Sequence, residues 1–206
     1  MARMTRARLA EGIFLVRFRT QYELASTFLR IQEHYESSRF RNRVFTLEEY
    51  MDWYAAEFGA FTYYEDWSGF NVPSSAFQAF YEGTFDPLLK KEQRLLRLFE
   101  RERTPYYVIG ISSEKDLKHE LAHAFFFTRP SYRSAVVAAL RGYDTSALRK
   151  RLAKMGYHRS VLDDEVQAYL IAPTDVDWVS SRALAPLRTA LRAIYRTHAK
   201  GIRSRR

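Results

Sequence analysis

The sequence predicts one α+β domain, mostly helical with a small sheet. Three observations lead there. Apolar residues recur at helical spacing in most segments, from 21–37 near the start to 176–202 at the end. Two short apolar runs, Gly12–Thr20 and Tyr106–Ile111, read instead as strands. Finally, apolar residues make up 47% and aromatics 16% of 206 residues, enough for a sizeable core, and no linker interrupts them. If the chain subdivides, an N-terminal substrate-binding portion would occupy 1–103 and the remaining helices 104–206.

The elements follow in order. In Gly12–Thr20, Val16, Phe18 and the apolar run before them suggest a strand with one buried face. Gln21–Ser37 reads as a helix with Leu24, Phe28, Ile31 and Tyr35 as its stripe; His34 beside Tyr35 is expected to be structural. Ser38–Val44 is a basic loop. Thr46, with Glu49 three residues on, forms a capping box for a helix that Gly59 stops after Phe58. Phe61–Phe85 interleaves aromatics with Gly, Asn, Pro and Ser and reads as a long ordered loop. Its Tyr63, Tyr64, Trp67 and Phe70 form either a substrate rim or a cover over the core.

Asp86 and Pro87 are expected to start a helix to Arg101, with Leu88, Leu95, Leu96 and Phe99 inward and Lys90, Lys91, Glu92 and Arg94 outward. After the Tyr106 strand comes a helix across Asp116–Phe127, capped by Ser113 and blocked from simple continuation by Pro130. Helices over Ser131–Leu140, from a cap at Asp144 or Thr145 to Lys154 and over Leu162–Leu170 follow, then the stretch 176–202 with Trp178, Leu184, Leu187, Leu191 and Ile194 on its apolar side.

Composition narrows the chemistry. The chain has no cysteine, so disulfides, thiolate ligands and cysteine nucleophiles are excluded together. It has no apolar run long enough to cross a membrane and no secretory leader pattern, so a soluble, cytoplasmic protein is expected. Net charge is +9, much of it near the two ends. Nucleic acid or an acidic protein is therefore a secondary candidate partner, although no zinc knuckle, RNP-type strand or phosphate loop accompanies the charge.

The densest chemistry is His119-Glu120-Leu121-Ala122-His123. Two imidazoles four apart on a helix share one face and can reach one Zn²⁺ at about 2.0–2.1 Å. Glu120 lies about 100° further round, beside the metal, where a carboxylate can take a proton from water. Leu117, Leu121, Ala124 and Phe125 fall on the opposite face and would anchor the helix. A catalytic zinc needs a third protein ligand. Glu165, beside the stripe of the Leu162–Leu170 helix, is the leading candidate. Asp163 or Asp164 could serve instead or support a ligand from behind, and His158 is the histidine alternative. The Tyr157-His158-Arg159 turn leads into that helix, and Tyr157, His158 or Tyr169 could donate to an oxyanion.

His119, Glu120 and His123 with a downstream helical Glu165 resemble the gluzincin-type zinc metallopeptidases. The resemblance covers Thr104 to about Leu170. It implies a zincin-like fold, Zn²⁺ held by His119, His123 and Glu165, Glu120 as base, and a peptide or protein substrate. It also implies that the Tyr106–Ile111 run pairs with extended substrate. Two features depart from known branches. Phe127-Thr128-Arg129-Pro130 stands where a metzincin carries its Gly and third His, and Asp164, not Asn, precedes Glu165. The competing expectation is a basic regulatory or binding module whose motif helix is structural or inactive.

Overall fold

The computed structural model describes residues 4–172 and 181–202. Its helices surround a four-stranded mixed sheet, an α+β architecture. The strands are β1 (Thr5–Ala10), β2 (Ile13–Arg17), β3 (Gly69–Pro73) and β4 (Tyr107–Ile111), in spatial order β1-β2-β4-β3. β2 and β4 run parallel, and each edge strand is antiparallel to its neighbour.

The expectation of one buried face for β2 is corrected: both faces are covered. Period-two alternation sends Ile13 and Leu15 to one face and Phe14 and Val16 to the other. The first face meets α6 (Leu117–Thr128), α7 (Pro130–Arg141), α8 (Ser146–Lys154), α9 (Leu162–Ile171) and α10 (Ala185–Ala199). The second meets α1 (Gln21–Glu36), α2 (Leu47–Phe58) and a dense layer of aromatic rings. Helix α1 crosses β4 at Gly110, where a Cβ would come within 2.6 Å of the Phe28 ring.

Local signals hold where they are strong. The Thr20 and Thr46 hydroxyls accept from Glu23 N and Glu49 N, and Gly59 closes α2 in the left-handed region at φ 89°. His34 bonds the Arg43 carbonyl, a structural role. Pro130 ends one helix by opening the next: it occupies the first turn of α7, where its missing N–H costs nothing.

Several expectations are corrected. The basic start contains β1, whose Arg6 lies over the rings of Phe14 and Phe99. Residues 61–85 are no loop; they hold α3 (Tyr63–Asp66), β3, a short 3₁₀ turn and α4 (Gln78–Tyr81). The helix expected from Asp86 begins at Lys90, as α5 (Lys90–Arg97), and Glu92 points inward, 1% exposed. Its carboxylate pairs with buried Arg30 at 2.5 and 2.8 Å and also caps Leu89 N. A buried guanidinium requires such a partner, and that requirement overrides the helical polarity pattern. Ser113 does not cap α6, which starts after Asp116. The start of the 176–202 helix, with Trp178, lies outside the described residues; Leu184, Leu187 and Leu191 pack inward as expected.

One correction bears on the site. β4 is hydrogen-bonded on both sides, by β2 and β3, so its backbone has no free edge for substrate. The edge nearest α6 is β3.

Candidate metal centre

α6 packs on β3, β4 and α9, and this packing assembles the centre. His119 and His123 sit one turn apart with their Nε2 atoms facing each other at 3.1 Å. Glu165, from α9, brings Oε1 to 3.7 Å from His123 Nε2. One ligand atom from each of the three lies within 4.8 Å of the others. Tetrahedral zinc with bonds near 2.0–2.1 Å sets its donors about 3.4 Å apart, close to what these side chains present.

The side chains fit a divalent cation on their own terms. Glu165 is 3% exposed, and its Oε2 has no hydrogen-bond partner. A buried, unsatisfied carboxylate is costly unless something positive meets it. Burial pushes its carboxyl up to about 8, with His123 opposing the shift. Burial holds His119 well below the usual imidazole range, hence neutral and free to ligate. Burial also acts to lower His123, but Asp164 and Glu165 outweigh it and hold that imidazole well above its usual range.

Asp164 stands behind His123, its Oδ1 3.0 Å from Nδ1. That carboxylate accepts from Gln167 Nε2 at 2.9 Å, and Gln167 Oε1 accepts from the buried Tyr132 hydroxyl at 2.7 Å. His123 Nδ1 makes no aligned hydrogen bond, so Asp164 acts on the ring as a charge, from the side where carboxylates stand behind metal-bound histidines, while Nε2 faces His119 and Glu165. Asp163 faces outward to Arg149.

Glu120 is 4% exposed and reaches the β3 side of the centre. Asn71 Nδ2 donates to its Oε2 at 2.6 Å, and Tyr107 Oη donates to Asn71 Oδ1. Burial raises the Glu120 carboxyl to about 7, against the pull of His123 and Asn71. The β3 pleat explains the contact: Phe70 and Val72 enter the aromatic layer, leaving Gly69 and Asn71 on the α6 side. A Cβ on Gly69 would lie 2.2 Å from Glu120 Oε1. Sequence reasoning missed Gly69, Asn71 and Tyr107. The alternation of Phe70 and Val72 with Gly69 and Asn71 was a usable strand signal, hidden by the surrounding turn residues.

The centre opens into a cavity of about 490 Å³. Tyr157 and Tyr169 line it, and the Tyr169 ring stands edge-on to His119 at 4.9 Å. Tyr157 is placed by α1: Ser37 bridges to it, and His158 N donates to Glu36 O at 3.0 Å. The structure does not bring His158 to the centre. Its Nδ1 sits 2.9 Å from Ser160 Oγ and caps a short turn, away from the cavity wall. Of the aromatics expected at a rim, Tyr63, Trp67 and Phe70 line the cavity, with Tyr63 and Phe70 also buried in the core; Tyr64 packs against Tyr22 and Phe61.

Two positions of the β3 edge offer no free donor to a pairing strand. Gln32 Oε1 accepts from Asn71 N at 3.2 Å, and Pro73 has no N–H. Among the described residues no helix is long and apolar enough to cross a membrane. No family model, curated protein or solved structure matches the chain.

Proposed function

We propose that this chain is a zinc-dependent metallopeptidase, gluzincin-like in its ligand set and zincin-like in arrangement, hydrolysing peptide bonds in the cytoplasm. The observation that carries the reading is the convergence of His119, His123 and Glu165, with Glu120 alongside, at the wall of one cavity. Their nitrogen and oxygen donors suit Zn²⁺. Zinc supplies a Lewis acid for a carbonyl and brings the pKa of a water to about 7.

The protein's own groups do the rest. Glu120 takes the proton of the attacking water and delivers it to the departing amine. Asn71, braced by Tyr107, fixes the carboxylate so that one oxygen remains for that task. Asp164 holds the His123 ring. A phenol of the Tyr157–Tyr169 pair donates to the oxyanion from the cavity wall. With the Asn71 N–H taken and Pro73 lacking one, substrate enters the cavity as a short segment rather than a long paired strand.

The test is hydrolysis of a mixed peptide pool by zinc-loaded protein. Glu120→Gln is expected to retain zinc and lose about 10²–10⁴-fold in rate, while His123→Ala loses both metal and activity. Full turnover by Glu120→Gln rules the mechanism out.

A further inference from the structure

The last turn of α1 carries two carboxylates, Glu33 and Glu36, into the wall of the same cavity. This is the unfavourable end of a helix for negative charge, because its carbonyls already make it negative. Glu33 accepts from Tyr63 Oη at 2.8 Å, and Glu36 is bonded by the Gln32 side chain. Among the described residues neither carboxylate pairs with a lysine or arginine; Glu36 feels the repulsion of Glu165 and a smaller attraction from His123. Lys115 is, among the described residues, the one lysine or arginine lining the cavity, and it is exposed and neighbours Asp116. Burial lifts the Glu33 carboxyl to about 7, as expected for an acid enclosed without a counter-ion.

Trp53, Tyr54, Phe58, Tyr63 and Trp67 also line the cavity. Aromatic rings together with carboxylates are the chemistry that holds an ammonium or guanidinium. Four buried atoms of residues lining the same cavity have no hydrogen-bond partner: Glu165 Oε2 and His123 Nδ1 at the metal centre, and Asp116 Oδ2 and Trp67 Nε1 beyond it. The cavity thus combines a donor set for a metal with an unsatisfied Asp116 oxygen and two acids that no lysine or arginine neutralises, within about 490 Å³.

We propose that Glu33, Glu36 and the rings around them form a subsite for a cationic group, so that the substrate carries an ammonium or guanidinium close to the bond that is cut. The assignment of this group to a substrate rests on the hydrolase reading; the binding of the cation does not.

The test is calorimetric titration with arginine amide, its neutral analogue Nα-acetylcitrulline amide, and Nα-acetylarginine amide. It uses the wild-type chain and the Glu33→Gln/Glu36→Gln and His119→Ala variants. Arginine amide is expected to bind at least about tenfold tighter than Nα-acetylcitrulline amide. The double variant is expected to lose that preference while still binding one zinc. Glutamine keeps an acceptor for the Tyr63 hydroxyl and removes an enclosed acid, so the variant is expected to melt no lower than wild type, and loss of binding is not loss of fold. His119→Ala is expected to keep the preference, which separates this subsite from the metal centre. Weak binding of Nα-acetylarginine amide assigns the subsite to an α-amine, and tight binding assigns it to a side chain. Equal binding of arginine amide and Nα-acetylcitrulline amide, no binding of either, or an unchanged preference in the double variant overturns the proposal.

Discussion

A methyl group at position 69 would sit 2.2 Å from Oε1 of Glu120. The clash is with the tip of a side chain, so it is relieved by moving the carboxylate and not by unfolding the strand. Gly69→Ala is therefore expected to keep its melting temperature within a few degrees while the rate of hydrolysis falls about tenfold or more, since general-base catalysis depends on hydrogen-bond reach. Activity and thermal scans on one preparation check this; unchanged activity would show that Glu120 needs no such space. At this scale the sequence was partly legible. HExxH spacing depends only on helix geometry, so His119, Glu120 and His123 could be placed from their numbers alone. Asn71 and Tyr107 could not, because their contact with Glu120 and each other depends on which strands become neighbours.

Helix α9 delivers Glu165 and Asp164 from one turn to different atoms around His123. Asp164→Asn keeps the shape and removes the charge behind the ring. It is expected to weaken zinc binding about 10–100-fold, the usual cost of losing such support, with the fold intact. A competitive zinc titration of this variant reads the effect directly, and wild-type affinity would reduce Asp164 to a bystander. Elements with strong local punctuation were readable: α2 runs from its Thr46 cap to its Gly59 stop as the sequence suggests. β1 and β3 were not. Each is short, lies at a sheet edge and carries few β-branched residues, so a neighbouring strand has to complete it. α5 was legible as a helix but not in its facing, because Glu92 is drawn inward by Arg30, 62 positions away in the chain.

At the level of the whole molecule, acids enclosed around the cavity couple folding to pH. Burial lifts Glu33 and Glu120 to about 7 and Glu165 to about 8. An unfolded glutamate releases its proton near pH 4.3. Between these values the folded, metal-free chain binds more protons than the unfolded one, so its stability falls as pH rises from about 4.5 to about 8. Thermal scans in chelator are expected to give a higher melting temperature at pH 5 than at pH 8. Zinc is expected to reverse that order, because it binds ionised Glu165 and neutral imidazoles. A melting temperature that climbs with pH in chelator would mean these carboxyls are not enclosed as described. The two-sided sheet also belongs to this scale. Alternation alone could not tell β2 from a half-exposed strand, since helices on both faces bury it only once the chain has folded.

The central claim is that side chains from α6 and α9 hold one cation. A competitive titration of metal-free protein with zinc, run beside Glu165→Ala, tests it most directly. One equivalent is expected to bind the wild-type chain, with affinity falling about 100-fold or more when the carboxylate is removed, since one of three protein ligands is lost. Sub-stoichiometric uptake by the wild type, or equal affinity in the two proteins, would contradict the account.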